Sequence, residues 1–249
     1  MGDGQLRVHR HQFQVRFAHV VLVVVVIIQT FSGLGLGEHL PRAVIDWLGH
    51  SRIAALHYWL GHAFAVAAAA LFFTYSDRVS NLISGLRRFR RSDLAWPAGF
   101  LRMWLSPKRY PPPWHEGRFD PIARLVMLEI GGSLGMLAIT GAVIDVAPSS
   151  ARQLVSWAIR VHAISGVVLI VAIGLHIIAG SGLLPTHRGI ARSMFGNGTV
   201  SVVLAERLWP GWTRRNVTNS AARAGEPDKK LANGFQRRRP SEDSAAPSE

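Results

Sequence analysis

The sequence predicts an all-α fold: an integral membrane four-helix bundle with both termini cytoplasmic and a disordered C-terminal tail. Three observations predict it. Apolar residues make up 49% of the 249-residue chain and are bunched into four blocks, each long enough to cross a bilayer. Lys and Arg outnumber Asp and Glu by 28 to 15, and nearly all of them lie between and beyond those blocks. The last stretch, from about residue 216, is polar and charged and finishes in RRRPSEDSAAPSE, a composition too poor in apolar groups to fold alone.

Residues 1–16, MGDGQLRVHRHQFQVR, form a basic cytoplasmic segment. The first span is read over about 17–36. A signal peptide is the rival reading of a basic head and an apolar stretch, but this stretch is long and no A-x-A site follows it. The second span covers about 53–75, with an alanine-rich centre that favours close helix approach. Residues 76–120 read as a long loop with clustered arginines, an aromatic interfacial helix around 96–105 and a rigid YPPPW turn. The third span covers about 121–146 and the fourth about 155–183. Residues 17–215 thus form one four-span domain, and 216–249 a basic, polar tail.

Loop charge orients the bundle. The N-terminal segment, the loop after span two and the tail carry 3, 9 and 11 Lys and Arg, against about 2 in each of the other two connections, counting Arg160 at the start of span four. Cytoplasmic loops carry the excess, so both termini lie inside. The net charge of +13 is therefore read as membrane topology and lipid contact, not as a nucleic-acid footprint. The absence of cysteine excludes disulfides, Cys-ligated iron–sulfur clusters and covalent c-type haem.

Histidines carry the chemistry. His162 and His176 lie on span four, fourteen residues apart. That is roughly 21 Å along the axis and within about 40° of one face. Span one runs from inside to outside and places His19 near the inner surface. Span two runs the other way and places His57 near the outer one. Depth alone pairs His19 with His176 and His57 with His162. A lone interfacial histidine more often snorkels than ligates. Two pairs at matched depths form a bis-histidine pattern, since intramembrane ionisable groups are costly and usually functional. Imidazole suits several metals, but helix bundles house flat cofactors between facing helices, so two haem b groups are the expectation. Gly61 and Gly166 each follow a ligand by one turn and would leave room for a porphyrin; ordinary small-residue packing is the plainer alternative. His62 points away from His57, and His9, His11, His39, His50, His115 and His187 fall in loops or flanks with interfacial or solvated roles. Glu129 is read as the one acidic residue inside a span. It either pairs with an arginine such as Arg124 or delivers protons to a quinone near the inner centre.

These motifs bear a family likeness. RFAH in span one, LHYWLG in span two, GRFDPIARLVML entering span three and VHAISG…LH…RGI around span four resemble the cytochrome b (gamma) subunit of respiratory formate dehydrogenases. The wider group includes cytochrome b subunits of membrane-bound hydrogenases. The likeness covers about residues 10–215. It implies that His19, His57, His162 and His176 ligate two haem b groups. It also implies a bacterial inner-membrane location and partners: a periplasmic iron–sulfur subunit, a catalytic dehydrogenase subunit and quinone as electron acceptor, in a complex that can form a homo-oligomer. The chain would then be an electron-transfer subunit rather than a stand-alone enzyme. It departs from the family at Val20, where a Trp is common, and at GRFDPIAR, where G-K-Y-N-x-G-Q-K is common. A hydrogenase or other molybdenum oxidoreductase is the alternative partner. A haem-free anchor or small transporter is the alternative of another class, although no internal repeat is evident and the middle of span four, GVVLIVAIG, is wholly apolar.

Overall fold

The computed structural model describes residues 6–94 and 115–223 and, between them, residues 96, 99, 102, 103, 106, 109 and 110. The chain is mostly helical. Its four long helices are α1 (Phe13–Leu36), α3 (His50–Thr74), α5 (Pro121–Val146) and α6 (Arg152–Gly180), all long and apolar enough to cross a membrane. Short helix α2 (Arg42–Leu48) joins the first two, and α4 (Ser76–Arg87) follows α3. After α6 come α7 (Arg192–Phe195), α8 (Val202–Leu208) and α9 (Pro210–Arg223).

The helix limits follow local chemistry. α5 starts at Pro121, whose missing N–H costs nothing in the first turn, and the Asp120 carboxylate caps it by accepting from the Ala123 N–H at 2.8 Å. Gly49, at φ 81°, turns the chain between α2 and α3, a conformation that a residue with a Cβ rarely adopts. α1, α3 and α6 each begin three or four residues earlier than the apolar blocks alone indicate, because polar first-turn residues such as Gln14, Ser51 and Arg152 continue the helix beyond the apolar run.

The spans present long apolar surfaces outward. Val20, Val21, Val24 and Ile27 of α1 are exposed, as are Ile164, Val167 and Val171 of α6. A soluble chain would bury such rows against itself; a bilayer solvates them. Within the bundle α1 packs along α3, and α5 packs along α6. Between these two pairs close backbone approach is sparse. The histidines face one another across that gap.

A folded cap closes the end of the bundle that carries the termini. Strand β1 (Arg7–His9) pairs antiparallel with β2 (Thr199–Ser201). The apolar face of α8 and the start of α9 form a small core of Val200, Leu204, Ala205, Leu208, Trp209 and Trp212 beside Val8. Arg10 locks it. Its guanidinium lies 3.8 Å from the centroid of Trp209 and 4.4 Å from that of Trp212, a cation–π clamp. It also donates to the Arg118 carbonyl at 2.5 Å, while Arg118 donates back to the Arg10 carbonyl at 3.1 Å. Burial, with Arg118 nearby, lowers the Arg10 pKa to about 9.

Several expectations change here. The tail is ordered as helix α9 as far as Arg223, past residue 216 where disorder was expected, because Trp209 and Trp212 anchor its start. Residues 224–249 lie outside the described residues. So do most of the expected interfacial helix at 96–105 and the prolines of the YPPPW turn. His115 and His187 are buried, not solvated. The cap covers them: the His115 ring nitrogen Nε2 donates to the Leu208 carbonyl at 2.8 Å, and the His187 ring bonds the Thr186 hydroxyl at 2.8 Å. Burial lowers the pKa of both, so each stays neutral at pH 7.

Candidate functional site

Two histidine pairs span the gap between the helix pairs. His57 of α3 and His162 of α6 have ring centroids 6.1 Å apart. His19 of α1 and His176 of α6 are also 6.1 Å apart, beside the Phe195 ring at the capped end. One helix, α6, therefore contributes to both pairs, and α5 contributes to neither.

That separation has chemical meaning. A metal–imidazole bond of about 2.0 Å plus roughly 1 Å from nitrogen to ring centroid, taken twice, puts two trans imidazoles about 6 Å apart across one metal ion. Two histidines cannot complete a coordination sphere alone. Among the described residues no three His, Asp or Glu side chains converge as a bare-ion site would require. Each pair thus suits a metal whose other ligands come from a planar cofactor. The four residues fit such a group.

A hydroxyl stands beside each ring of the first pair. The Ser32 hydroxyl lies 3.0 Å from His57 Nδ1, and the Thr140 hydroxyl lies 2.9 Å from His162 Nδ1. Each hydroxyl has one proton, already given to a carbonyl four residues back: Ser32 to Ile28 at 2.8 Å and Thr140 to Met136 at 2.7 Å. With that proton on the carbonyl, each hydroxyl is free to accept from the imidazole, the arrangement that keeps the proton on Nδ1 and the lone pair on Nε2. Glycines follow both hydroxyl residues. A Cβ on Gly33 would stand 3.3 Å from His57 Cε1, so the bare glycine admits the ring; the same edge of His162 lies 3.6 Å from where a Gly141 Cβ would be.

Comparison with known families decides what this framework is. Residues 10–197 match the model of prokaryotic cytochrome b561, which is most of the chain. The chain belongs to the prokaryotic cytochrome b561 family. A comparison with curated proteins gives no match. The cytochrome is a multi-pass membrane protein with four candidate spans, and membership implies b-type haem, typically two groups, and a role in electron transfer. Members typically anchor hydrogenase or dehydrogenase subunits.

Other expected site residues of the cytochrome stand as follows. Gly61 borders the side chain of Gln29, not open room: a Cβ there would lie 2.8 Å from the Gln29 amide nitrogen, which donates to the His57 carbonyl at 3.2 Å. Gly166 has no atom within 4 Å of the Cβ position. Glu129 accepts from the Ser133 hydroxyl at 3.1 Å and is otherwise exposed. The arginine weighed as its partner, Arg124, instead pairs with Asp93 at 2.7 Å, because the loop after α4 folds back over the start of α5.

Glu129 is not the one acidic residue in a span of the cytochrome. Asp145 lies in the last turn of α5, accepting from the Tyr58 hydroxyl at 3.0 Å and meeting His62 Nε2 at 3.2 Å. His62 does point away from His57, as its spacing indicates, and that direction brings it to α5. Ser32 and Thr140 were also missed. The signal for them is a Ser-Gly or Thr-Gly step in two different spans, each at the depth of a paired histidine.

Proposed function

We propose that the chain is the membrane-anchoring di-haem cytochrome b subunit of a respiratory dehydrogenase, of formate dehydrogenase type, that carries electrons from a periplasmic iron–sulfur partner to quinone. The observation that carries this reading is the pair of 6.1 Å histidine couples sharing α6, one at each end of the membrane. Haem b supplies reversible one-electron chemistry when bound at them.

The residues divide the work. His57 and His162 hold the centre nearer the partner, and His19 and His176 the centre nearer the cytoplasm. Loop charge supports that orientation: the basic segments, including the folded cap, belong to the cytoplasmic side. The apolar middle of α6 between His162 and His176 keeps water and ions out of the space separating the two centres. In the first half of α5, the exposed Glu129 carboxylate offers a proton-delivering group for quinone reduction. Gly166, with open space at its Cβ position, leaves room beside His162 for a cofactor edge.

Sequence motifs favour formate dehydrogenase as the partner enzyme. A hydrogenase is the second reading, favoured by the family itself, whose members typically anchor hydrogenase or dehydrogenase subunits. Membranes carrying the native complex separate the two. Formate is expected to reduce the b-type α-band within the time of mixing, and hydrogen gas is not. Reduction by hydrogen with no response to formate replaces the first partner with the second.

A further inference from the structure

The two histidine pairs are not equivalent. In the His57–His162 pair each Nδ1 lies within 3.0 Å of a hydroxyl, and a carbonyl four residues back stands ready to take that hydroxyl's own proton. In the other pair, His19 Nδ1 is buried with no hydrogen-bond partner among the described residues, and His176 contacts the His19 ring without a hydrogen bond to any described residue. The same side chain, in the same bundle, at the same ring separation, is thus supported at one end and not at the other.

That difference acts on any metal bound at Nε2. A hydrogen bond donated from Nδ1 shifts electron density toward the ring and makes Nε2 the stronger donor. A stronger axial donor favours the oxidised, more positive metal, and such outer hydrogen bonds are a recognised lever on haem potential. Ser32 reaches its histidine from α1 and Thr140 from α5, so two helices that do not ligate this centre still govern it.

We infer that Ser32 and Thr140 are positioning residues that fix the Nδ1–H tautomer of His57 and His162 and hold that centre at a lower potential than the His19–His176 centre. This rests on the di-haem reading. Its consequence is a downhill step along α6, away from the His57–His162 end and toward the capped end. Neither hydroxyl touches the metal; each acts through the histidine it holds.

The test is a potentiometric titration of the purified, haem-loaded full chain, followed by the α-band and by low-spin electron paramagnetic resonance. Wild type is expected to give two one-electron waves, the lower one lost in His57→Ala. Ser32→Ala and Thr140→Val are each expected to raise the lower wave by about a tenfold change in the oxidised-to-reduced ratio, which is 59 mV for a one-electron couple. The upper wave stays in place, and the hydroxyl-retaining Ser32→Thr and Thr140→Ser return the lower wave toward wild type. Thr140→Val, being close in shape to threonine, reads the effect even where Ser32→Ala loses haem. Two haems with an unmoved lower wave, an equal shift of both waves, or a lower wave that belongs to the His19–His176 centre overturns the inference. A wild-type chain without b-type haem overturns the di-haem reading itself.

Discussion

His57→Ala and His162→Ala are each expected to remove the same haem, and His19→Ala and His176→Ala each the other. The effect is large because each pair offers only two imidazoles, contributed by different helices. Removing one leaves a single axial bond and breaks the tie between helix pairs that otherwise approach each other sparsely. Each variant is expected to keep about half of the wild-type b-type absorbance, and the double variant His57→Ala/His162→Ala no less than either single one, because residues that act as a unit are not additive. Loss of different haems from His57→Ala and His162→Ala contradicts the pairing.

Arg124→Met is expected to be the most destabilising single change outside the histidine pairs. The Arg124 guanidinium and the Asp93 carboxylate are both buried and 2.7 Å apart. Arg124 also donates to the Arg88 carbonyl and lies over the Phe89 ring at 4.7 Å. Burial by itself raises the Asp93 pKa, but the Arg90 N–H and Arg124 overcome it and hold the carboxyl below its ordinary value. Removing the arginine leaves that charge buried and unpaired, a loss of about 3–5 kcal/mol for a buried pair. The loop after α4 then detaches from the start of α5. The measurement is the thermal midpoint in detergent, with haem content at low temperature as control. Arg124→Met should lower the midpoint strongly, and Arg124→Met/Asp93→Leu should recover part of the loss. A midpoint equal to wild type shows that the pair does not hold the loop.

Much of this architecture is legible in the sequence because a bilayer makes strong local demands. Four apolar blocks can satisfy their backbone only as helices. His19, His57, His162 and His176 follow by depth, since rise per residue converts sequence position into membrane position. What is not legible depends on contacts between distant positions. The pairing of Arg7 with Ser201 has no local signature, so the cap built on it, and the burial of His115 and His187 beneath it, are invisible in the pattern. Ser32 and Thr140 are hidden for another reason: a hydroxyl in an apolar helix ordinarily bonds its own backbone. Only the neighbouring helix shows that each also lies within hydrogen-bond reach of a histidine. Asp145 escapes because its meeting with Tyr58 and His62 joins two helices that share few close contacts.

The proposed function requires two haem b groups in one chain, one at each histidine pair. Haem per polypeptide is measured by the pyridine haemochrome method on the purified full-length protein. Two haem b per chain are expected, falling to one in His162→Ala and in His176→Ala and to none when both are replaced. A wild-type value of one or none, or two haems retained in the double variant, contradicts it.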